Sequence, residues 1–180
     1  MAKSEIDKNA ILEEATKDDM YRAWLLIASS LLELEYIDPE QIGILADNIN
    51  KQIGAKKFRA DDYEMRRIER LIGLANPYGN LDVSQVKSSF DLEKFKKKVE
   101  KVAIHTSLCV VGFGLDASSA FSADQLRRIF LNVDLTLAEI EAGCNSYKEI
   151  ENILAEKSMM ILVVENDEYT EIQVQHDLKK

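Results

Sequence analysis

A chain of 180 residues that is 46% hydrophobic can bury roughly 70% of its unfolded surface, enough for one self-sufficient core without disulfide or metal staples. Its two cysteines, Cys109 and Cys144, make neither a disulfide framework nor a zinc set, and a reducing, cytoplasmic setting is expected. The charged start MAKSEIDKNAILEEATKDD and the lack of any apolar run near 18 residues exclude a secretory leader and a membrane span, so a soluble protein is expected.

The net charge of −9 is unevenly spread. Residues 1–50 carry 11 acidic and 4 basic side chains, residues 51–101 carry 8 and 13, and residues 102–180 carry 13 and 6. An acidic molecule with a basic middle is suited to two electrostatic contacts, one with a basic protein and one with phosphates, although such charges also serve as ordinary solvated helix faces.

In chain order, residues 1–16 hold a narrow apolar stripe of Ile6, Ala10, Ile11 and Ala15, which reads as a short amphipathic helix or an N-terminal arm. Asp18 and Asp19 then open a stronger helix, whose wide apolar face runs from Met20 through Trp24, Leu25 and Leu31 to Tyr36. Asp38-Pro39-Glu40 is a helix start, with Asp38 as N-cap, Pro39 in the first turn and Glu40 favourable to the dipole. That helix runs through Ile42, Leu45, Ala46, Ile49 and Ile53 to Gly54, and the basic loop Ala55 to Arg59 follows it. Asp61-Asp62 begin a further helix, in which Ile68, Leu71 and Ile72 alternate with Arg66, Arg67 and Arg70, and Gly73 and the turn Asn76 to Asn80 close it. Leu81 to Ser89 is a loop or one short helical turn.

The stretch Phe90 to Leu115 is the central helix. Leu92, Phe95, Val99, Val102 and Thr106 share one face and Lys94, Lys97, Lys98 and Lys101 the opposite one, while Leu108 to Phe113 are apolar all round. The first half should lie on the surface and the second in the core, with Gly112 and Gly114 at the helix end. Ser122 to Gln125 matches a capping box for a helix through Leu126, Ile129, Phe130, Val133 and Leu137 to Gly143. Residues 146–157 form one more helix. The tail changes to a period of two over Tyr169 to Gln175, so residues 159–175 are a β-hairpin. The expected fold is mainly α: one domain over 1–180, a bundle of about six helices around a central buried helix, with a C-terminal hairpin. The free edge of that hairpin predicts a homodimer.

Catalytic equipment is sparse. His105 adjoins the apolar half of the central helix and reads as a core or boundary residue, and His176 falls in a tail expected to be unstructured. Neither histidine has a companion at metal-ligand spacing in the sequence, which argues against zinc. Cys109 reads as a small core residue. The pairs Asp18-Asp19 and Asp61-Asp62 read as helix caps, and Gly112-Phe113-Gly114 lacks the strand and remaining residues of a phosphate loop. The chain is therefore expected to have no enzymatic activity, cofactor or metal; an enzyme would need His105 or an acid pair lining a pocket.

Binding surfaces are better supplied. One acidic group comprises Glu33, Glu35, Asp38, Glu40 and Asp47, and a second Asp134, Glu139 and Glu141; either suits a basic protein partner. Lys56, Lys57, Arg59, Arg66, Arg67 and Arg70, with Lys94, Lys97, Lys98 and Lys101, are candidates for DNA or RNA phosphate contact. Residues 39–72 suggest a helix-turn-helix, although the connection is longer than that motif uses.

In its short acidic chain, its helix-rich middle from Tyr21-Arg22-Ala23-Trp24-Leu25-Leu26 through Tyr63-Glu64-Met65-Arg66-Arg67, and its lack of catalytic equipment, the sequence resembles the anti-CRISPR proteins of phages and mobile elements that inhibit Cas9. The resemblance lies in overall character and assigns no residue by position. It implies a stoichiometric inhibitor that occupies a nucleic-acid-binding surface of Cas9 with its guide RNA. The basic middle departs from a uniformly acidic DNA mimic. The alternative is a DNA-binding transcriptional regulator of a phage or mobile element that uses the basic segment.

Overall fold

The computed structural model describes residues 8–55, 62–73, 88–157, 159–165 and 170–176, with side chains placed for 18–53, 66–73, 88, 91–157, 159–162 and 173–175. The element order is α1 (Lys8–Glu33), α2 (Pro39–Ala55), α3 (Asp62–Ile72), α4 (Ser89–Ala117), α5 (Ala123–Glu141), α6 (Tyr147–Glu156), β1 (Met159–Glu165) and β2 (Thr170–His176). This is the mainly α architecture with a small antiparallel hairpin that the hydrophobic periods predict. No described helix is long and apolar enough to cross a membrane.

The core draws on all six helices and β1, with α1 and α4 at its centre. Residues 23–31 of α1 are buried without a break, because α4, α5, α6 and β1 close over α1 from different sides. Two of those residues are serines. Ser30 donates its hydroxyl to the Ile129 carbonyl at 2.9 Å and Ser29 donates to Glu33 at 3.2 Å, so each buried hydroxyl keeps a partner. The sequence suggests a helix starting at Asp18, but α1 runs continuously from Lys8. Asp18 and Asp19 therefore stand in its middle, and the capping role fails because their neighbours' N–H groups are already bonded within the helix.

α4 follows its expected division, exposed over the lysines and buried from Ser107 to Leu115 apart from the half-buried Val110. Ser88 is its N-cap and accepts a hydrogen bond from the Asp91 amide at 3.1 Å. Gly112 and Gly114 do not end the helix, which continues to Ala117. They are contact points: a Cβ at Gly112 would lie 3.1 Å from Phe130 Cζ, and one at Gly114 would lie 2.5 Å from Ile49 Cγ2. Glycine there lets α5 and α2 approach the α4 backbone.

The capping box of α5 forms as expected, with Gln125 N–H bonded to Ser122 Oγ and Ser122 N–H to Gln125 Oε1. Gly143, at φ +73, ends the helix, and the Cys144 amide reaches back to the Glu139 carbonyl at 2.9 Å. In the hairpin, Met159 pairs with His176 and Glu165 with Thr170. His176 thus belongs to β2, where it pairs with Met159, rather than to an unstructured tail. Met159 and Ile161 face the core and Met160 faces solvent, the alternation of a half-buried strand. β2 packs on α2, and β1 on α1 and α6.

Candidate functional site

Four of the five expected acidic residues lie at the α1–α2 connection, and the fifth, Asp47, lies further along α2. Glu33 ends α1, Glu35 and Asp38 occupy the connection, Glu40 lies in the first turn of α2, and Asp47 follows two turns later; all five are exposed. Between Arg22 and Lys51 the sequence has no basic residue, and Lys51 stands one turn beyond Asp47 on α2. Glu33 is held by hydrogen bonds from Ser29 at 3.2 Å and Asn132 at 2.8 Å. Among the described residues, Glu35, Asp38, Glu40 and Asp47 form no ion pair. Glu35 adopts φ +54, and the Tyr36 amide bonds to the Leu31 carbonyl at 3.1 Å. The Tyr36 ring then packs against Phe121 with centroids 6.4 Å apart, which fixes the corner to the α4–α5 connection.

Sequence reasoning left Ile44 out. It follows Glu40 by four residues and precedes Asp47 by three, so all three project from one face of α2. Ile44 is 66% exposed, while Ile42, Leu45, Ala46 and Ile49 on the opposite face are buried. A spacing of four and three around an isoleucine was visible in the sequence, but the broad apolar content of α2 hid which isoleucine faced outward.

The described residues of the expected basic set fall on two helices, α3 and α4. Lys56, Lys57 and Arg59 lie outside the described residues. Arg66, Arg67 and Arg70 are exposed on α3, and Arg67 is already engaged by Asp116 at 2.7 Å. That contact is near the C-terminal end of α4, about 22 Å along the helix from Lys101 at a rise of about 1.5 Å per residue. Lys94, Lys97 and Lys101 are exposed and Lys98 half-buried, and Lys101 pairs with Glu141 at 2.8 Å. α2 packs on α4 and β2, and α3 on α4 and α5. Among the described residues α2 and α3 make no substantial contact with each other, unlike the paired helices of a helix-turn-helix.

No protein-family model, curated protein or solved structure matches this chain.

Buried polar groups gather at two further places among the described residues. A cleft of about 470 Å³ between α1, α4, α5 and α6 is lined by Asp19, Arg22, Glu100, Lys101, Glu141 and Tyr147, among others. Asp19 is only 1% exposed, and its Oδ2 has no hydrogen-bond partner. Arg22 approaches its Oδ1 at 3.4 Å while lying over the Tyr147 ring, 5.3 Å from the centroid. Burial pushes the Asp19 carboxyl up to about 6, with Glu100 and Asp18 adding to the rise and Arg22 opposing it. Burial likewise pushes the Tyr147 phenol up to about 12. The second site joins Glu69 of α3 to His105 and Cys109 of α4. His105 is buried, as expected, yet it does have companions: Cys109 one turn on, with Sγ 3.9 Å from Nδ1, and Glu69 across the helix seam. The first was readable from the spacing of four; the second exists only through tertiary packing.

Proposed function

We propose that this chain is a non-enzymatic interaction protein that docks the Glu40–Ile44–Asp47 face of α2, with the neighbouring acidic corner, onto a basic surface of a nucleic-acid-handling protein. The observation that carries the reading is Ile44, an isoleucine held 66% exposed between the exposed acids Glu40 and Asp47, with Lys51 one turn beyond Asp47 on the same helix. An apolar anchor inside a charged rim is the arrangement in which the anchor supplies affinity and the rim supplies rate and selectivity. The resemblance to anti-CRISPR proteins makes Cas9 with its guide RNA the first partner to test.

The experiment is capture of Cas9–guide RNA by the tagged chain, quantified by titration and repeated with Ile44→Asp. Binding that Ile44→Asp abolishes supports the reading, and binding that it leaves intact removes this face from it. A duplex-DNA shift at low salt, run alongside, addresses the regulator reading, which the exposed Arg66 and Arg70 favour. In the same proposal a second copy pairs along a free edge of the hairpin. A monomeric mass by light scattering, unchanged on deleting residues 159–180, excludes that dimer.

A further inference from the structure

We propose that Glu69, His105 and Cys109 bind one divalent transition-metal ion of the zinc class in the seam between α3 and α4. The three donor atoms all lie within 4.8 Å of one another, and the His105 Nδ1 to Cys109 Sγ separation is 3.9 Å. Metal–ligand bonds of about 2.0–2.3 Å in a tetrahedral site place donor atoms roughly 3.3–3.8 Å apart. The histidine–cysteine pair is thus within a few tenths of an ångström of a chelating geometry, and the remaining closure falls to the Glu69 carboxylate, on a side chain with rotatable bonds to spare.

The local sequence explains the placement. His105 and Cys109 are one helical turn apart, so both point from the same face of α4. α3 is seated on that helix by Ile68 and Ile72, whose Cγ2 atoms each lie 3.3 Å from where a Gly112 Cβ would stand, and by the Arg67–Asp116 ion pair. Glu69, next to Ile68, is carried into the seam with them.

The donor set selects the ion class. A thiolate and an imidazole favour zinc and its neighbours over magnesium or calcium, and three protein ligands leave a fourth position open. A thiolate and a carboxylate together carry the charge that neutralises a dication. In the seam His105 and Cys109 are buried and Glu69 is half-buried. A bound dication favours the thiolate, so the Cys109 thiol ionises on binding and releases its proton to solvent. The ion would tie α3 to α4, since its ligands come from both.

The test is a titration of the untagged, metal-stripped full chain with Co²⁺, followed by absorption. The expected result is one cobalt per chain, with a thiolate-to-cobalt charge-transfer band and the intense visible bands of four-coordinate cobalt, all displaced by stoichiometric zinc. Cys109→Ser should abolish the charge-transfer band, and Glu69→Gln and His105→Gln should each weaken binding by about tenfold or more. Cys144→Ser should leave the spectrum unchanged, with far-UV circular dichroism confirming that each variant is folded. Absence of cobalt absorption in the wild-type chain overturns the proposal. So does a spectrum that survives Cys109→Ser or is lost in Cys144→Ser. As an independent readout, zinc should raise the Tm of the wild-type chain but not of Cys109→Ser, and equal shifts in both would also overturn it.

Discussion

Gly114 of α4 faces Ile49 of α2 so closely that a β-carbon on the glycine would stand 2.5 Å from the isoleucine Cγ2. An alanine in an exposed helix would gain about 1 kcal/mol over glycine. Here the added methyl forces two packed helices apart, which typically costs about 1–3 kcal/mol. Gly114→Ala should therefore lower the Tm, and the Gly114→Ala/Ile49→Ala pair should lose less than the sum of the two single variants, giving a favourable interaction term in a double-mutant cycle. Gly112→Ala, whose nearest contact is 3.1 Å, should be the milder of the two.

Asp19 gives the chain a pH-dependent stability of defined sign. Its folded carboxyl holds the proton up to about 6, against 3.8 for the unfolded chain. The folded state therefore binds the proton more tightly. The stabilisation is complete below about pH 4, is lost as pH rises to about 6 and is absent above. Asp19→Asn, which cannot ionise, should be more stable than wild type at pH 7 by on the order of 1–3 kcal/mol, with the difference shrinking toward pH 4. Urea unfolding at pH 4, 5, 6 and 7 measures this. A destabilised variant at pH 7 would show that the Arg22 contact outweighs the burial of the charge.

Ser30 places a hydroxyl in the α1–α5 contact. Its bond to the Ile129 carbonyl is buried, so Ser30→Ala should cost about 1 kcal/mol. Ser30→Val should cost more, because the extra volume enters a helix contact that the small serine keeps close. Chemical denaturation of the two variants gives the order directly.

The docking face makes a kinetic prediction. Glu40→Lys combined with Asp47→Lys should slow association with a basic partner by roughly tenfold at low salt and much less at high salt. Ile44→Ala should instead speed dissociation, by about tenfold for a central anchor. Surface plasmon resonance at two ionic strengths separates the two effects, and a loss confined to dissociation in both variants would refute the steering role of the acids.

The punctuation of the chain was readable because it is local. Ser122 with Gln125, Pro39 after Asp38, and Gly143 each act on backbone groups within a few residues, and the switch to a period of two marked the hairpin. What escaped was set by neighbours distant in sequence. Asp18-Asp19 has the composition of a helix start, yet α1 runs through it, and Asp19 is buried because α4, α5 and α6 close over it. Gly112 and Gly114 look like a helix end until α2, α3 and α5 are seen to need the space. His105 and Cys109 already shared a helix face in the sequence; the carboxylate opposite them arrives on α3, from 36 positions earlier. Of the docking face, the acids were evident and the isoleucine at its centre was not.

The packing of β2 on α2 also imposes an order of events on synthesis. The inner face of α2, with Ile42, Leu45, Ala46 and Ile49, is covered by α4 and by β2, the final strand of the fold. As the polypeptide leaves the ribosome, α2 emerges early and is without its second cover until residues 170–176 follow. A nascent chain halted before them would carry the Glu40–Ile44–Asp47 surface on a helix whose inner face lacks the cover of β2.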